Sequence, residues 1–502
     1  MESIETSSLL LMRGLSLGDA LPEVTAGRNA ESANPRPTLS AVTKPTTRFT
    51  RGGTMKSRLL LTFIGLSLMV VSGTPIQLAA QTNNPTHPHY IVVDLGPTQD
   101  TPFSQATSMA DNGLIAGLTV APDFTQHAVV WYRGQVTDLG TPGLGGPNSG
   151  AFGVNERGQV DGQAESSTAD PNNENFCGYG TGLKCRPFLW ERGVMTALRL
   201  LGGNNGTVGN VNNLGEVIGI AETGIRDSEC PTEVSVNGTG PLVLDFEAVV
   251  WGPRGQVRKL SPLPGDSVGM ALGINNKGQA VGASGSCANT VLPPFAAAPH
   301  AVLWDRDGSV HNLGNLGGTV NINLLAVGNV GESINNRGQV VGLSALPGNQ
   351  AIHAFLWTSE TGMQDLGTLP GDVYSAGLGI NDRGDIVGAS IDGNPATGNP
   401  RAFLRHDGVM TDLNTLAPAN SPLYLLTAFG INEAGEIAGF GVNIAGNVHA
   451  FLAIPSRSGN NGESVMFDEQ GAGSDVRRTA LTEESRKQLQ KFQHLHLLAD
   501  RP

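Results

Sequence analysis

The chain is short of aromatic residues (5%) and of charged ones (15%). Both shortages, set beside 68 glycines, exclude a coiled coil or long-helix protein, which is built from Ala, Glu, Lys and Leu. Positive charge is scarce as well: 31 basic residues face 44 acidic ones, for a net charge of −13. This leaves no basic stripe to neutralise phosphates, so nucleic acid is not an expected partner. The glycines lack the strict third-position period of collagen and are read as turn residues. Catalytic and cofactor motifs are missing too. There is no phosphate-cradling Gly-x-x-x-x-Gly-Lys-Ser/Thr, no sialidase-type Asp box and no EF-hand loop. The stretch 141–151, TPGLGGPNSGA, opens no helix and is not read as a dinucleotide loop. No cofactor is therefore expected, and calcium in a central channel has no motif behind it.

One apolar run stands out. Residues 55–81 carry Lys56 and Arg58, then Leu59–Val71, then Ala79 and Ala80, the order of a secretory signal peptide. The run is too short for a membrane span, and no other segment approaches the roughly 20 apolar residues that a span requires. Residues 1–54 show no apolar periodicity, and translation is expected to begin at Met55. The mature chain is expected to be secreted or at the cell surface, the periplasm being the third address, with no membrane span.

What the chain has in abundance is repetition. A phrase with two glycines four residues apart recurs seven times: MADNGLIAG (109–117), VNERGQVDG (154–162), VNNLGEVIG (211–219), INNKGQAVG (274–282), INNRGQVVG (334–342), INDRGDIVG (380–388) and INEAGEIAG (431–439). Its first glycines are Gly113, Gly158, Gly215, Gly278, Gly338, Gly384 and Gly435, spaced 45, 57, 63, 60, 46 and 51 residues apart. A unit of about 45 residues is the length of a four-stranded propeller blade. A second phrase such as HAVLW or HAFLW follows each copy. All five tryptophans, Trp131, Trp190, Trp251, Trp304 and Trp357, end it. A third, as in GQVTDLG (134–140), completes the unit. In N-x-x-G the Asn side chain bonds its own backbone two residues on, and Gly supplies the left-handed conformation of a tight hairpin.

The seventh unit ends at its third strand, HAFLAI (449–454), and YIVVDLG (90–96) reads as a stray fourth strand. Pairing the two would close a ring and remove free edges. The fold expected is thus all-β: a seven-bladed propeller of four-stranded antiparallel blades over 90–454, closed by an N-terminal strand. An open solenoid would leave 90–96 without a role. A polar tail, 455–502, follows, with a helix expected over 482–499.

Units two to four carry insertions at 163–186, 222–246 and 283–299, and all four cysteines, Cys177, Cys185, Cys230 and Cys287, lie within them. Of three pairings, Cys177–Cys185 and Cys230–Cys287 are favoured, the second joining neighbouring insertions. No Cys-x-x-Cys spacing points to a metal. His127, His300, His353 and His449 share one repeat position and are read as structural, bonding nearby turns. Asp94, Asp138, Asp365 and Asp412 belong to separate units and are read as turn or strand-edge residues.

These phrases, most fully His353–Gly388 with HAFLW, DLGTLPG and INDRGDIVG, resemble the repeats of the HAF (His-Ala-Phe) family of extracellular repeat proteins. The resemblance covers roughly 90–454 and implies a bacterial secreted or cell-surface protein without an established catalytic activity. In units two and three Arg186-Pro187-Phe188 and Glu247-Ala248-Val249 replace His-Ala-Phe. The function expected is a non-catalytic binding module that holds an extracellular protein or glycan on the insertion-bearing face. The competing readings are a propeller hydrolase or lyase, with acids at the channel mouth, and a self-associating matrix protein.

Overall fold

In the computed structural model of the protein, residues 88–96, 103–230, 242–290, 298–320, 328–393 and 400–456 are described. The expectations for 1–54, for 55–81 and for the helix at 482–499 lie outside them. The described chain is all-β: 28 strands, one four-residue helix (Leu413–Leu416) and one 3-10 turn (Cys287–Asn289). No described helix is long and apolar enough to cross a membrane.

Five sheets each hold four consecutive antiparallel strands. In the sixth unit these are Tyr374–Ile380, Ile386–Ile391, Pro400–His406 and Val409–Asp412. The remaining sheet has eight strands, and it is two such groups joined by one parallel pairing, Phe103 opposite Val448. One group runs from Phe103–Met109 to Gln135–Asp138. The other takes Leu423–Ile431, Ile437–Asn443 and Val448–Ser456, and its fourth strand comes from the far end of the described chain, His89–Asp94. That strand lies antiparallel to Val448–Ser456, with Val92 opposite Ala453 and Asp94 opposite Phe451.

The two glycines of the repeat do different work. The first sits at the hairpin tip with φ between 77° and 93° in all seven copies, a conformation that costs an L-residue about 1–2 kcal/mol. The second has ordinary backbone angles but no room. A Cβ there would stand 1.9–2.2 Å from a carbonyl oxygen of the unit's first strand in every copy, for example 2.0 Å from Val330 O at Gly342. At Gly162, Gly342 and Gly388 it would also strike the ring of Phe188, Phe355 or Phe403 on the third strand. Those rings are fully buried, as is Phe451. The phenylalanine of the second phrase thus fills the hollow that glycine leaves.

Tryptophan closes the gap between sheets. Trp251 and Trp304 are buried, and their indole nitrogens donate to Arg199 O (2.6 Å) and Ser261 O (2.7 Å), both on the preceding unit. Serines make a second seam. Ser149 Oγ donates to Gly140 O (2.7 Å) and accepts from Ala128 N (3.0 Å), and Ser375 does the same with Gly367 and Ala354. Ser104 makes this pair of bonds with Gly96 O and Ala450 N, so the N-terminal strand is tied in by the same device.

The two glycine roles separate by experiment. Gly342→Ala should cost roughly 3 kcal/mol through overpacking, and Gly338→Ala about 1–2 kcal/mol through backbone strain alone. Urea unfolding of both variants measures the difference.

Candidate functional site

Six of the seven hairpin turns open on asparagine, and these asparagines form one connected set. Asn335 shows the pattern. Its Oδ1 accepts from Arg337 N and Gln339 N (both 3.0 Å), closing its own turn. Its Nδ2 donates to Gln339 Oε1 (2.8 Å) and to Asn381 O (2.9 Å) in the next turn. The carboxamide therefore uses both donors and both acceptor sites while only 4% exposed. Asn155, Asn212, Asn275 and Asn381 likewise reach the next turn's asparagine carbonyl at 2.8–3.1 Å. The following residue adds a second link: Asn276 N donates to Asn336 Oδ1 (2.9 Å), and Asn336 N to Asp382 Oδ1 (2.6 Å). Between the seventh turn and the first, Glu433 N donates to Asp111 Oδ1 (2.7 Å), and Asn112 Nδ2 passes the linkage on to Glu156 O (3.0 Å).

These turns surround a cavity of about 160 Å³. Residues from all seven line it, among them Asp111, Glu156, Asp382 and Glu433. It lies on the face of the short uniform turns, opposite the insertions.

The recurrent histidines and aspartates are partners of each other. His127 Nδ1 meets Asp138 at 2.7 Å, His353 Nδ1 meets Asp365 at 2.9 Å, and His449 Nδ1 meets Asp94 at 2.9 Å. Each aspartate also accepts a backbone N–H two residues on, from Gly140, Gly367 or Gly96 (2.7–2.8 Å). The hydrogen bond from Asp138 holds the His127 imidazole above its ordinary range. His300 turns instead to Asp266 (2.9 Å). In unit six Arg401 stands in the histidine's place and bridges Asp372 (2.8 Å) and Asp412 (3.2 Å). The histidines are thus spread over separate four-stranded groups, each engaged by its own carboxylate.

The insertions are less loop-like than the sequence suggested. The arms Gln159–Ala169 and Leu183–Glu191 stay paired as far as Ala169 opposite Leu183, and Val217–Arg226 pairs with Leu244–Trp251 as far as Arg226 opposite Leu244. Both disulfides form as favoured, Cys177–Cys185 and Cys230–Cys287. Phe176, Cys177, Cys230, Leu242, Cys287 and Ala298 share one buried apolar cluster with Val268, Met270 and Leu272 of a first strand. The insertions therefore pack on one another and on the sheets beneath.

Carboxylates with no repeat counterpart clamp this assembly. Glu174 Oε1 accepts Val243 N (2.6 Å) and Leu244 N (3.2 Å), tying the first insertion to the second. Glu222 Oε2 accepts Asn204 N and Asn205 N (3.0 and 2.8 Å), and Asn205 Nδ2 also reaches Asp170 Oδ2 (3.0 Å). Burial, and then the charge of Glu174, pushes Glu222 up to about 8. Sequence reasoning passed over these residues, and over Asp161, which is fully buried where the other six units carry Ala, Ile or Val. Its Oδ1 accepts from Gly153 N (2.5 Å), its Oδ2 has no partner, and burial raises it to about 7. Glu332 is raised to about 7 by the same cause. Stacking the seven copies would have exposed Asp161 as the odd residue. Among the described residues, the only group of three potential metal ligands is Asp227, Cys230 and Cys287, and both of its cysteines are spent in the disulfide.

No family model matches the chain, and no curated protein matches it. Solved structures with a related outline include a puromycin hydrolase (15% identity, TM-score 0.38, covering 70% of this chain and 54% of that one). Others are a gluconolactonase from Xanthomonas campestris (10%, 0.32, 73% and 90%) and TolB from Acinetobacter baumannii (11%, 0.33, 70% and 65%). At this level of similarity no activity is carried over from them.

Asn335→Ala strips two buried N–H groups and one carbonyl of their partner, and should cost about 3 kcal/mol by chemical denaturation. Glu222 gives a pH signature. Its folded value lies above the ordinary 4.5, so the folded chain holds the extra proton between roughly pH 4.5 and 8. Stability should fall as pH rises through that window, by up to about 1.4 kcal/mol per pH unit, and level off above it. Glu222→Gln should reduce the slope in melting curves at pH 5, 6.5 and 8, Asp161 and Glu332 supplying what remains.

Proposed function

We propose that the chain is an exported, closed seven-bladed propeller of HAF type that acts as a binding module without catalysis. Three observations favour the ring: the cyclic succession of turn-to-turn bonds, the serine seam repeated at Ser104, and first strands that each contact those of the units on either side, Leu423–Ile431 meeting Phe103–Met109. The two disulfides favour an oxidising compartment.

The binding reading is carried by the insertion platform. Three insertions are cross-linked by Cys230–Cys287, by Glu174 and by a shared apolar cluster, which gives a preorganised surface on one face. Of the acids that burial perturbs, Glu222 and Asp161 are fully buried, and Asp245 and Glu332 are partly exposed. Its occupant is an extracellular protein or glycan.

Two exposed apolar residues test the face. Ile225 (64% exposed) stands on an insertion arm, and Leu214 (42%) on a turn of the opposite face. Residues 82–502 should retain a partner from culture medium, and Ile225→Asp should reduce its capture at least fivefold while Leu214→Asp leaves it unchanged. The reverse pattern would refute the assignment.

A further inference from the structure

Three acids meet at the joint between the first two insertions. Asp170, Glu174 and Glu222 are only 6%, 1% and 0% exposed. Asn205 links two of them: its Nδ2 donates to Asp170 Oδ2 (3.0 Å) and to Glu222 Oε1 (3.2 Å), while its Oδ1 accepts from Cys185 N (2.8 Å). Asp170 Oδ1 accepts the N–H of Asn172 and of Glu174 (2.8 and 3.1 Å), and Glu174 Oε2 accepts Asn172 Nδ2 (3.0 Å). With the bonds from Asn204, Asn205, Val243 and Leu244, every donor described for the three acids is a neutral amide.

No cation balances them. Among the described residues, every ion pair of a lysine or arginine goes to some other acid. Arg186, on the strand after the first insertion, is acted on by burial alone, and Tyr179 of that insertion faces Glu165. On the arm opposite, Glu247 is taken by Lys259 (2.8 Å), and Asp245 faces Glu247 and Asp227. The charges that do reach the set are its own: Asp170 acts on Glu174, and Glu174 on Glu222. The geometry does not suit a metal ion either, since one oxygen from each acid does not come within 4.8 Å of the other two. The Asn205 amide, turned by Cys185, already lies between Asp170 and Glu222.

We propose that Asp170, Glu174 and Glu222 keep a proton among them, and that this proton locks the first insertion onto the second. Buried carboxylates in one network oppose each other's charge, and the titration belongs to the set and not to one member. Burial and the charge of Glu174 push Glu222 up to about 8. A raised folded value means that the proton is held below that pH and lost above it, so the joint is closed at neutral pH and loosens in alkali. Repulsion then drives the segment Asp170–Glu174 away from Glu222, and Val243 N and Leu244 N lose Glu174. The inference concerns the joint itself and stands with or without a partner on the platform.

The test is hydrogen exchange of residues 82–502 at pH 6.5 and 9, with rates corrected for the intrinsic effect of pH and peptides read by mass spectrometry. Protection over 242–248 should fall at least tenfold from pH 6.5 to 9, while 335–341, which holds a turn of the opposite face, keeps its own. Glu222→Gln, which fixes the neutral form, should hold protection at both pH values. If that variant does not fold, Asp170→Asn takes one charge from the set, still offers Asn172 N and Glu174 N an acceptor, and should reduce the fall. Equal protection at both pH values, an equal fall over 335–341, or an unchanged fall in a folded variant would overturn the proposal. So would calcium chloride restoring protection at pH 9, which would make the set a metal site.

Discussion

The turn asparagine is the constraint on which the rest of the structure depends. A buried carboxamide with two donors and two acceptor positions is costly unless every one is used. At Asn335 all four are: two close the hairpin that starts the unit, one orients the side chain five positions into the turn, and one fixes the carbonyl of the next hairpin. Local and long-range structure are therefore set by the same four bonds. A hairpin with the wrong geometry would lose its neighbour as well as its own turn, which makes assembly of adjacent units cooperative.

The first unit shows what happens when the device is removed. Ala110 replaces the asparagine, and Leu114 stands where the other units carry Gln, Glu or Asp to receive the amide. Both halves of the interaction are missing together, as the bond requires. Asp111 and Asn112 take over with side-chain contacts of their own to Glu433 and Glu156. This is also the unit beside the N-terminal strand, where Trp131 Nε1 lacks the partner that Trp251 and Trp304 find. In the proposed ring the joint is thus built from different bonds than the repeat and depends more on Ser104 and on the pairing of His89–Asp94.

The framework was legible in the sequence because it is written seven times. Strand order, hairpin glycines, the borrowed fourth strand and the two disulfides all follow from repeat grammar and its gaps. The second glycine was visible but not explained, since the obstruction is a carbonyl on another strand that no local rule contains. The histidines and the aspartates were each read as structural, but their mutual pairing went unseen. His127–Asp138 and His353–Asp365 lie eleven and twelve residues apart and His449–Asp94 355 apart, each on adjacent strands, and only register makes them meet. The acids of the insertions were illegible for a different reason. Glu174 and Glu222 occur once each, in segments without periodicity, and their burial comes from packing between insertions.

That contrast bears on where function can reside. Residues that recur from unit to unit are consumed by the frame: the asparagine by the turn, the phenylalanine by the hollow over glycine, the histidine by a carboxylate. A residue with no bond left to make inside the protein must be sought where the repeat is broken or where its copies converge. The insertions meet the first condition, on one face, and the seven turns meet the second, on the other. Within the frame, Asp161 replaces apolar burial with a carboxylate whose ionisation burial opposes, and burial opposes that of Glu332 as well. Folding alone gives no reason to keep such groups.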